Sequence, residues 1–288
     1  MSTVDNAQAE RLGKDGRMAE STLSLALTDF EGEIGVFLGW GRGPTFGDPA
    51  WTTQQQNVIN SCLRSGLRQF YFPSPMDGES SSYNWSFLRP TATLDLPPNA
   101  SVVNLPDDFG SVDGNITVLS TASVSQPWQI VWRHEATIRQ MYSVTPLLTG
   151  PTMYASIIPL KGTTGTQGQR FQLLVFPLAD QDYTLQMTYY LNADCLTGAY
   201  PYAYGGAPHV ETILESCLKI AEERMDDSST VHAMKFQERL AASISMDRRL
   251  KPQSLGPNLD KSDGQPYWSR EWIHYGAPAA TYDGAPFG

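Results

Sequence analysis

Two regions with a helical apolar period, about 22–72 and 207–249, are separated by a long stretch, about 80–195, that reads as short strands and turns. A helix stripe is stable only when buried against another element, so the two helical regions are expected to meet in space. The sequence therefore predicts an α+β fold: a helical bundle with an inserted antiparallel β domain and a long extended C-terminal arm. The boundaries read from the pattern are a flexible N-terminal lead over 1–20 and a discontinuous helical bundle domain over 21–74 and 205–250. An inserted β domain spans 75–204, and an extended arm spans 251–288.

The first helix is expected to start near Ser21 or Thr22. Leu23, Leu27, Phe30, Ile34 and Phe37 follow spacings of four, three, four and three, which puts them on one face. Gly39-Trp40-Gly41-Arg42-Gly43-Pro44 ends it, with glycines free to take positive φ and a proline that blocks continuation. The second helix has a capping box, Thr52-Thr53-Gln54-Gln55. Its apolar face is Val58, Ile59, Cys62, Leu63, Gly66, Leu67 and Phe70. A glycine inside a helix lowers its stability, so Gly66 is read as permitting close approach of a neighbour.

From about 80 the period changes to two. Tyr83–Leu88 and Thr91–Leu96 read as a strand pair around Arg89-Pro90. Ile116–Ser120, Gln129–Arg133, Thr152–Ile158, Phe171–Phe176 and Tyr183–Leu191 read as further strands, with a hairpin loop over Lys161–Gln169. In the last strand Tyr183, Leu185, Met187 and Tyr189 alternate with Thr184, Gln186 and Thr188. His134–Tyr142 reads as a short helix. Short turns between strands predict an antiparallel sheet or small sandwich.

Tyr200, Tyr202 and Tyr204 alternate with prolines and glycines in the return linker; the pattern suits a packed hinge and also a stacking platform for a sugar or base. Val210, Ile213, Leu214, Cys217, Leu218, Ala221 and Met225 then form an apolar stripe, and Asp226-Asp227-Ser228-Ser229 interrupts it. A final helix carries Phe236, Leu240 and Ile244 and ends near Arg248-Arg249, whose charge complements the helix dipole. Beyond Pro252 the chain is rich in proline and glycine, yet it holds Tyr267, Trp268, Trp272, Tyr275, Tyr282 and Phe287. Exposed rings are costly in water, so this arm is expected to pack on its own chain or on another subunit or partner.

The net charge of −10 disfavours tight wrapping of nucleic acid, since that affinity comes from Lys and Arg neutralising phosphates. Cys62, Cys195 and Cys217 are odd in number and widely spaced, which points to free thiols in a reducing compartment. The N-terminus has no apolar signal core and no run reaches the roughly 18 apolar residues that span a membrane, so a soluble, cytoplasmically made protein is expected. Three Asn-X-Ser/Thr triplets, at Asn84, Asn99 and Asn115, are then chance.

No catalytic constellation stands out. His134, His209, His232 and His274 fall in different elements, and GxSxG, HExxH and GxxxxGK[ST] are absent. The Gly39–Gly43 run follows a helix, so it reads as a stop and not as a phosphate cradle. Asp107-Asp108 lies in a turn without a third ligand, and Glu222-Glu223 reads as a solvated face. Neither a metal nor a cofactor is expected.

Phe37-Leu38-Gly39-Trp40-Gly41-Arg42, then Trp51-Thr52, then Gly66-Leu67-Arg68-Gln69-Phe70-Tyr71-Phe72-Pro73 resemble the opening of tailed-phage head-to-tail connector (adaptor) proteins. Trp85-Ser86-Phe87-Leu88-Arg89-Pro90, Leu105-Pro106-Asp107-Asp108-Phe109, Phe176-Pro177 and Tyr183–Tyr190 are similar to later segments of those proteins, and the order of the segments over about 22–250 carries the likeness. The resemblance implies a helical bundle with an inserted β domain and a homo-oligomeric ring, usually a dodecamer. That ring sits in the virion neck between portal protein and tail or nozzle protein, around a channel through which dsDNA passes without specific binding. It implies no enzyme activity and no membrane. The lead and the aromatic arm fall outside it.

The leading expectation is thus a structural adaptor, with partner-binding residues Arg248, Arg249, Trp268, Trp272 and Tyr275. The alternative is a tail-associated module that binds carbohydrate or protein through Tyr, Trp and Asn in loops around 75–90. A peptidoglycan- or nucleic-acid-processing enzyme is the third and least supported class.

Overall fold

Strand β7, Tyr183–Leu191, is the axis of the architecture. Tyr183, Leu185, Met187, Tyr189 and Leu191 are all buried, as the period-two pattern predicts, and the strand is hydrogen-bonded on both sides. In the computed structural model the described residues are 20–75, 82–120, 126–160, 168–226, 231–250, 281–282 and 285–286. Among them, seven strands form one sheet in the order β1-β7-β3-β4-β5-β6-β2. The other six are β1 Thr91–Leu96, β2 Val102–Asn104, β3 Phe109–Val118, β4 Trp128–Trp132, β5 Tyr154–Leu160 and β6 Arg170–Phe176. Five α-helices accompany them: α1 Leu27–Phe37, α2 Thr53–Tyr71, α3 Glu135–Val144, α4 Val210–Asp226 and α5 Val231–Leu250.

The sheet curls into a nearly closed barrel. Gly114 takes a φ of 80° inside β3, and the register of β3 on β7 shifts between Asp113 and Thr117. Such a bulge bends a strand and increases its twist. β4 pairs through Ile130, Gln129 and Trp128 with β3, then through Val131 and Trp132 with β5, so it hands one half of the sheet to the other. The outer strands β1 and β2 are consecutive in the chain and are brought near each other by the link over 97–101. That link is held by Asn99, at φ 60°, whose N–H donates to the Ala179 carbonyl at 2.7 Å. Asparagine tolerates this left-handed region better than most residues.

The expected helical bundle with an inserted antiparallel β domain is therefore not what forms. The fold is mixed α/β and the barrel-like sheet dominates it. The sheet is also not purely antiparallel: β4 and β5 run parallel, joined by α3. A parallel pair needs a crossover long enough to return the chain, and the helix supplies it. One continuous core runs from Phe30, Ile59, Leu63 and Cys217 in the helices through Trp85 and Leu88 to Leu96, Val118 and Leu185 in the strands. Period alone identifies elements, but it does not say that helix and sheet faces share one core. The chain divides into two compact units, Met1–Leu250 and Lys251–Gly288. Within the second, Thr281–Tyr282 and Ala285–Pro286 pair antiparallel.

Local differences have local causes. α1 starts at Leu27 because Ala26 bridges Tyr202 and the Leu27 N–H donates to the Pro201 carbonyl at 2.8 Å; Leu23 is left exposed. Residues 83–88, read as a strand, instead form an irregular link with a 3-10 turn at Ser86–Leu88. β2 is only three residues long and the first half of β3 is interrupted by Gly110, Ser111 and Asp113, so neither carries a strand period.

α2 matches its sequence signals. The Thr52 hydroxyl accepts from Gln55 N–H at 3.3 Å and the Gln55 side chain accepts from Thr52 N–H at 2.8 Å. Gly66 lies against α4 so closely that an added Cβ would stand 2.7 Å from the Cys217 Cα and 2.8 Å from its nitrogen. Backbone cannot yield as a flexible side chain does. Gly66→Ala is expected to lower stability by about 1–3 kcal/mol despite alanine's better helix propensity, read as an earlier urea midpoint.

Candidate functional site

The densest polar and aromatic constellation lies where α2, α4 and α5 meet the link into β1. Asp247, on the penultimate turn of α5, is fully buried. Its carboxylate accepts from the Tyr83 hydroxyl at 2.6 Å, from the Ser86 N–H at 3.1 Å and from the Ser86 hydroxyl. Next to it, Trp85 is 1% exposed and donates its indole N–H to the Phe70 carbonyl at 2.8 Å. The Trp85 ring packs on Phe70, Tyr83 and Phe87 at centroid distances of 4.7, 5.2 and 5.1 Å. His209 closes the cluster, 5.4 Å from Trp85 and 5.3 Å from Phe87, and its Nδ1 is buried without a hydrogen-bond partner.

These surroundings shift titration in definite directions. Burial among rings pushes His209 below its ordinary value, while the nearby Asp247 charge pulls weakly the other way. Burial, then hydrogen bonding to Asp247, pushes the Tyr83 hydroxyl up. Burial pushes the Cys217 thiol up to about 12, so it is not a poised nucleophile.

The remaining candidates each have a structural partner. The Asp107 carboxylate meets Arg170 at 3.0 Å, whereas Asp108 accepts from the Tyr189 hydroxyl at 2.9 Å. Two carboxylates with different partners do not converge on an ion. The Gly39–Gly43 loop is filled by its own chain: Asp48 accepts from the Arg42 N–H at 2.6 Å and Trp51 packs on Gly35 and Gly43. His134 caps α3 through Ala136 N–H at 3.2 Å. His232 lies 2.7 Å from the buried Glu215, and Glu222 accepts from the N–H groups of Val231 and His232 at 3.2 and 3.1 Å. Glu222 is thus buried and caps α5, where a solvated face was expected. Cys62, Cys195 and Cys217 are free. Among the described residues no three His, Cys, Asp or Glu side chains form a metal-ligating group, and no helix is long and apolar enough to cross a membrane.

Of the sequence-predicted contact residues, Arg248 and Arg249 are exposed on the last turn of α5, with the Arg248 guanidinium 5.4 Å from the centre of the Tyr83 ring. Trp268, Trp272, Tyr275 and His274 lie outside the described residues, as do the lead over 1–19 and the loop over 76–81. Trp85 is buried, which removes the main aromatic from any stacking platform around 75–90. Tyr200, Tyr202 and Tyr204 are exposed and not packed inside a hinge, although Tyr204 N–H donates to the Tyr71 hydroxyl at 3.0 Å.

Two apolar surfaces were not expected from the sequence. One follows α3, where Val144 is 75% and Leu147 84% exposed, with Leu148 and Met153 exposed beside them. Val144 and Leu148 line an open groove of about 480 Å³ together with Met141, Tyr154 and Phe176. The other lies at one end of the helices, where Phe37 meets His232 edge-on at 5.1 Å and Val36, Met225, Val231 and Met234 are exposed. Grouped exposed apolar residues mark contact surfaces more often than single ones do. The signal for the first was an apolar pair in a Pro- and Thr-rich turn, Pro146-Leu147-Leu148.

No protein-family model matches the chain, and no curated protein matches it.

Two measurements check this site. Asp247→Ala strands three part-buried donors and is expected to cost about 2–3 kcal/mol in denaturant unfolding, with Asp247→Asn less damaging. His209 binds its proton less readily when folded than when unfolded, so the unfolded chain carries more protons below about pH 6.5. Stability contributed by neutral His209 is present above that pH and falls as pH drops toward the folded pKa. The urea midpoint difference between about pH 8 and about pH 5 is expected to shrink in His209→Phe.

Proposed function

We propose that this protein is a structural head-to-tail adaptor of a tailed bacteriophage. In this reading it acts by assembly: copies form a ring that joins portal to tail around the DNA channel. The observation that carries the reading is the pair of exposed apolar surfaces on different elements, one beside α3 and one at the ends of α1, α4 and α5. A closed ring repeats one heterologous contact, so each subunit needs two unlike faces. The sequence resemblance over about 22–250 supports the same class, and the net charge of −10 suits a passage along which DNA must not stick.

Partner contacts are assigned to Arg248 and Arg249 at the end of α5 and to Trp268, Trp272 and Tyr275 in the arm. Aromatic and arginine side chains are the usual anchors of protein interfaces. The ring size belongs to the proposal, with twelve copies as its first form.

The test is electron microscopy of the purified full chain mixed with portal rings. Averages are expected to show a second ring stacked on one face of the portal. A chain that stays monomeric and leaves portal bare would remove the adaptor reading.

A further inference from the structure

The open groove beside α3 has a largely apolar lining. It is a shallow groove, open to solvent, of about 480 Å³. Met141, Val144, Leu148, Tyr154 and Phe176 line it, and Thr137, Gln140 and Thr145 supply neutral polar groups at its rim. No carboxylate or cation lines it. Ile138 and Phe176 are buried beneath, and Tyr142 donates its hydroxyl to the Val175 carbonyl, so α3 is firmly seated on the sheet and the groove is largely preformed. Methionine adapts to aromatic neighbours more readily than branched side chains do.

The chain itself carries a ligand of matching chemistry. Trp268, Trp272 and Tyr275 are spaced by four and three residues. Three rings within eight residues give this segment the aromatic content of an interface anchor. Arg270 and Glu271 fall between the rings and cancel in charge, which suits an uncharged groove. Trp268 is 18 residues beyond Leu250. Those residues can extend to about 60 Å, against a radius of gyration of about 18 Å for a domain of this size. The tether is long enough to reach a neighbouring copy.

We propose that the groove beside α3 receives the Trp268–Tyr275 segment of a second copy of this chain, an inference that rests on the adaptor reading. Each subunit then gives one arm and accepts one. This directional contact closes into a ring when its rotation divides a full turn. Val144, Leu147 and Leu148 are covered by the incoming rings and cease to be exposed apolar surface.

The test uses full-length chains with Cys195→Ser, since the other two cysteines are buried. Chains carrying Val144→Cys are mixed with chains carrying Ser269→Cys, with and without portal rings, and treated with a short bismaleimide. Circular dichroism checks that each variant is folded. Only a contact between copies can join these two chains. A covalent heterodimer is expected, and adding Trp268→Ala and Trp272→Ala to the Ser269→Cys chain should lower it about tenfold or more. Absence of the heterodimer in both conditions overturns the proposal, as does a heterodimer that survives loss of both tryptophans. Rings that stack on portal without this cross-link would sink the groove assignment alone. Bare portal together with no cross-link would sink the adaptor reading as well.

Discussion

A single buried carboxylate holds the helices to the sheet. Asp247 sits near the end of α5 and gathers Tyr83 and Ser86 from the link that leads into β1. A buried charge is tolerable only when its oxygens are satisfied, and here three donors from one short segment satisfy them. The cost of burying Asp247 becomes a constraint: α5 must end beside residues 83–86, and β1 must begin where that link releases it. Trp85, clamped between those donors and hydrogen-bonded to the last turn of α2, makes the same junction apolar on its other side. His209 then brings the start of α4 against the same rings.

This junction is why helices and sheet share one core. In the sequence the aromatic segment 83–88 resembles a strand, because rings alternate with small polar residues. In the fold its backbone is irregular, and the Ser86 N–H donates to Asp247 instead of to a neighbouring strand. The alternation was real but served a different contact. The sheet is tied to three helices, α2, α4 and α5, through this link. The expected division into bundle and inserted domain gives way to a barrel-like sheet with helices continuous with its core.

The candidate sites were legible only in part. Gly66 disclosed its role through position, inside a helix against a close neighbour, whereas His134 was read as part of a helix that it in fact caps. Glu222 did not, because its caps are given to the helix that follows across a turn, and no local spacing marks that. The exposed apolar groove beside α3 was equally hidden. Met141, Val144 and Leu148 follow a helical stripe that normally means burial, and only the packing of α3 on β5 and β6 leaves them uncovered. An apolar face reads identically in sequence whether its partner is the same chain or another molecule.

What the sequence determined by itself was local: the capping box of α2, the two-residue alternation of β7, the stripe of α4 and the residues on each face. These depend on spacing and on side-chain chemistry within a few positions, which the chain states directly. The tertiary structure alone decided that β4 and β5 run parallel, that β1 pairs with β7, and that Asp247 reaches residues 83–86. Those contacts join positions far apart in the chain, and their free energies come from mutual burial and from satisfying buried polar groups. No single segment contains that information, because it belongs to pairs of segments.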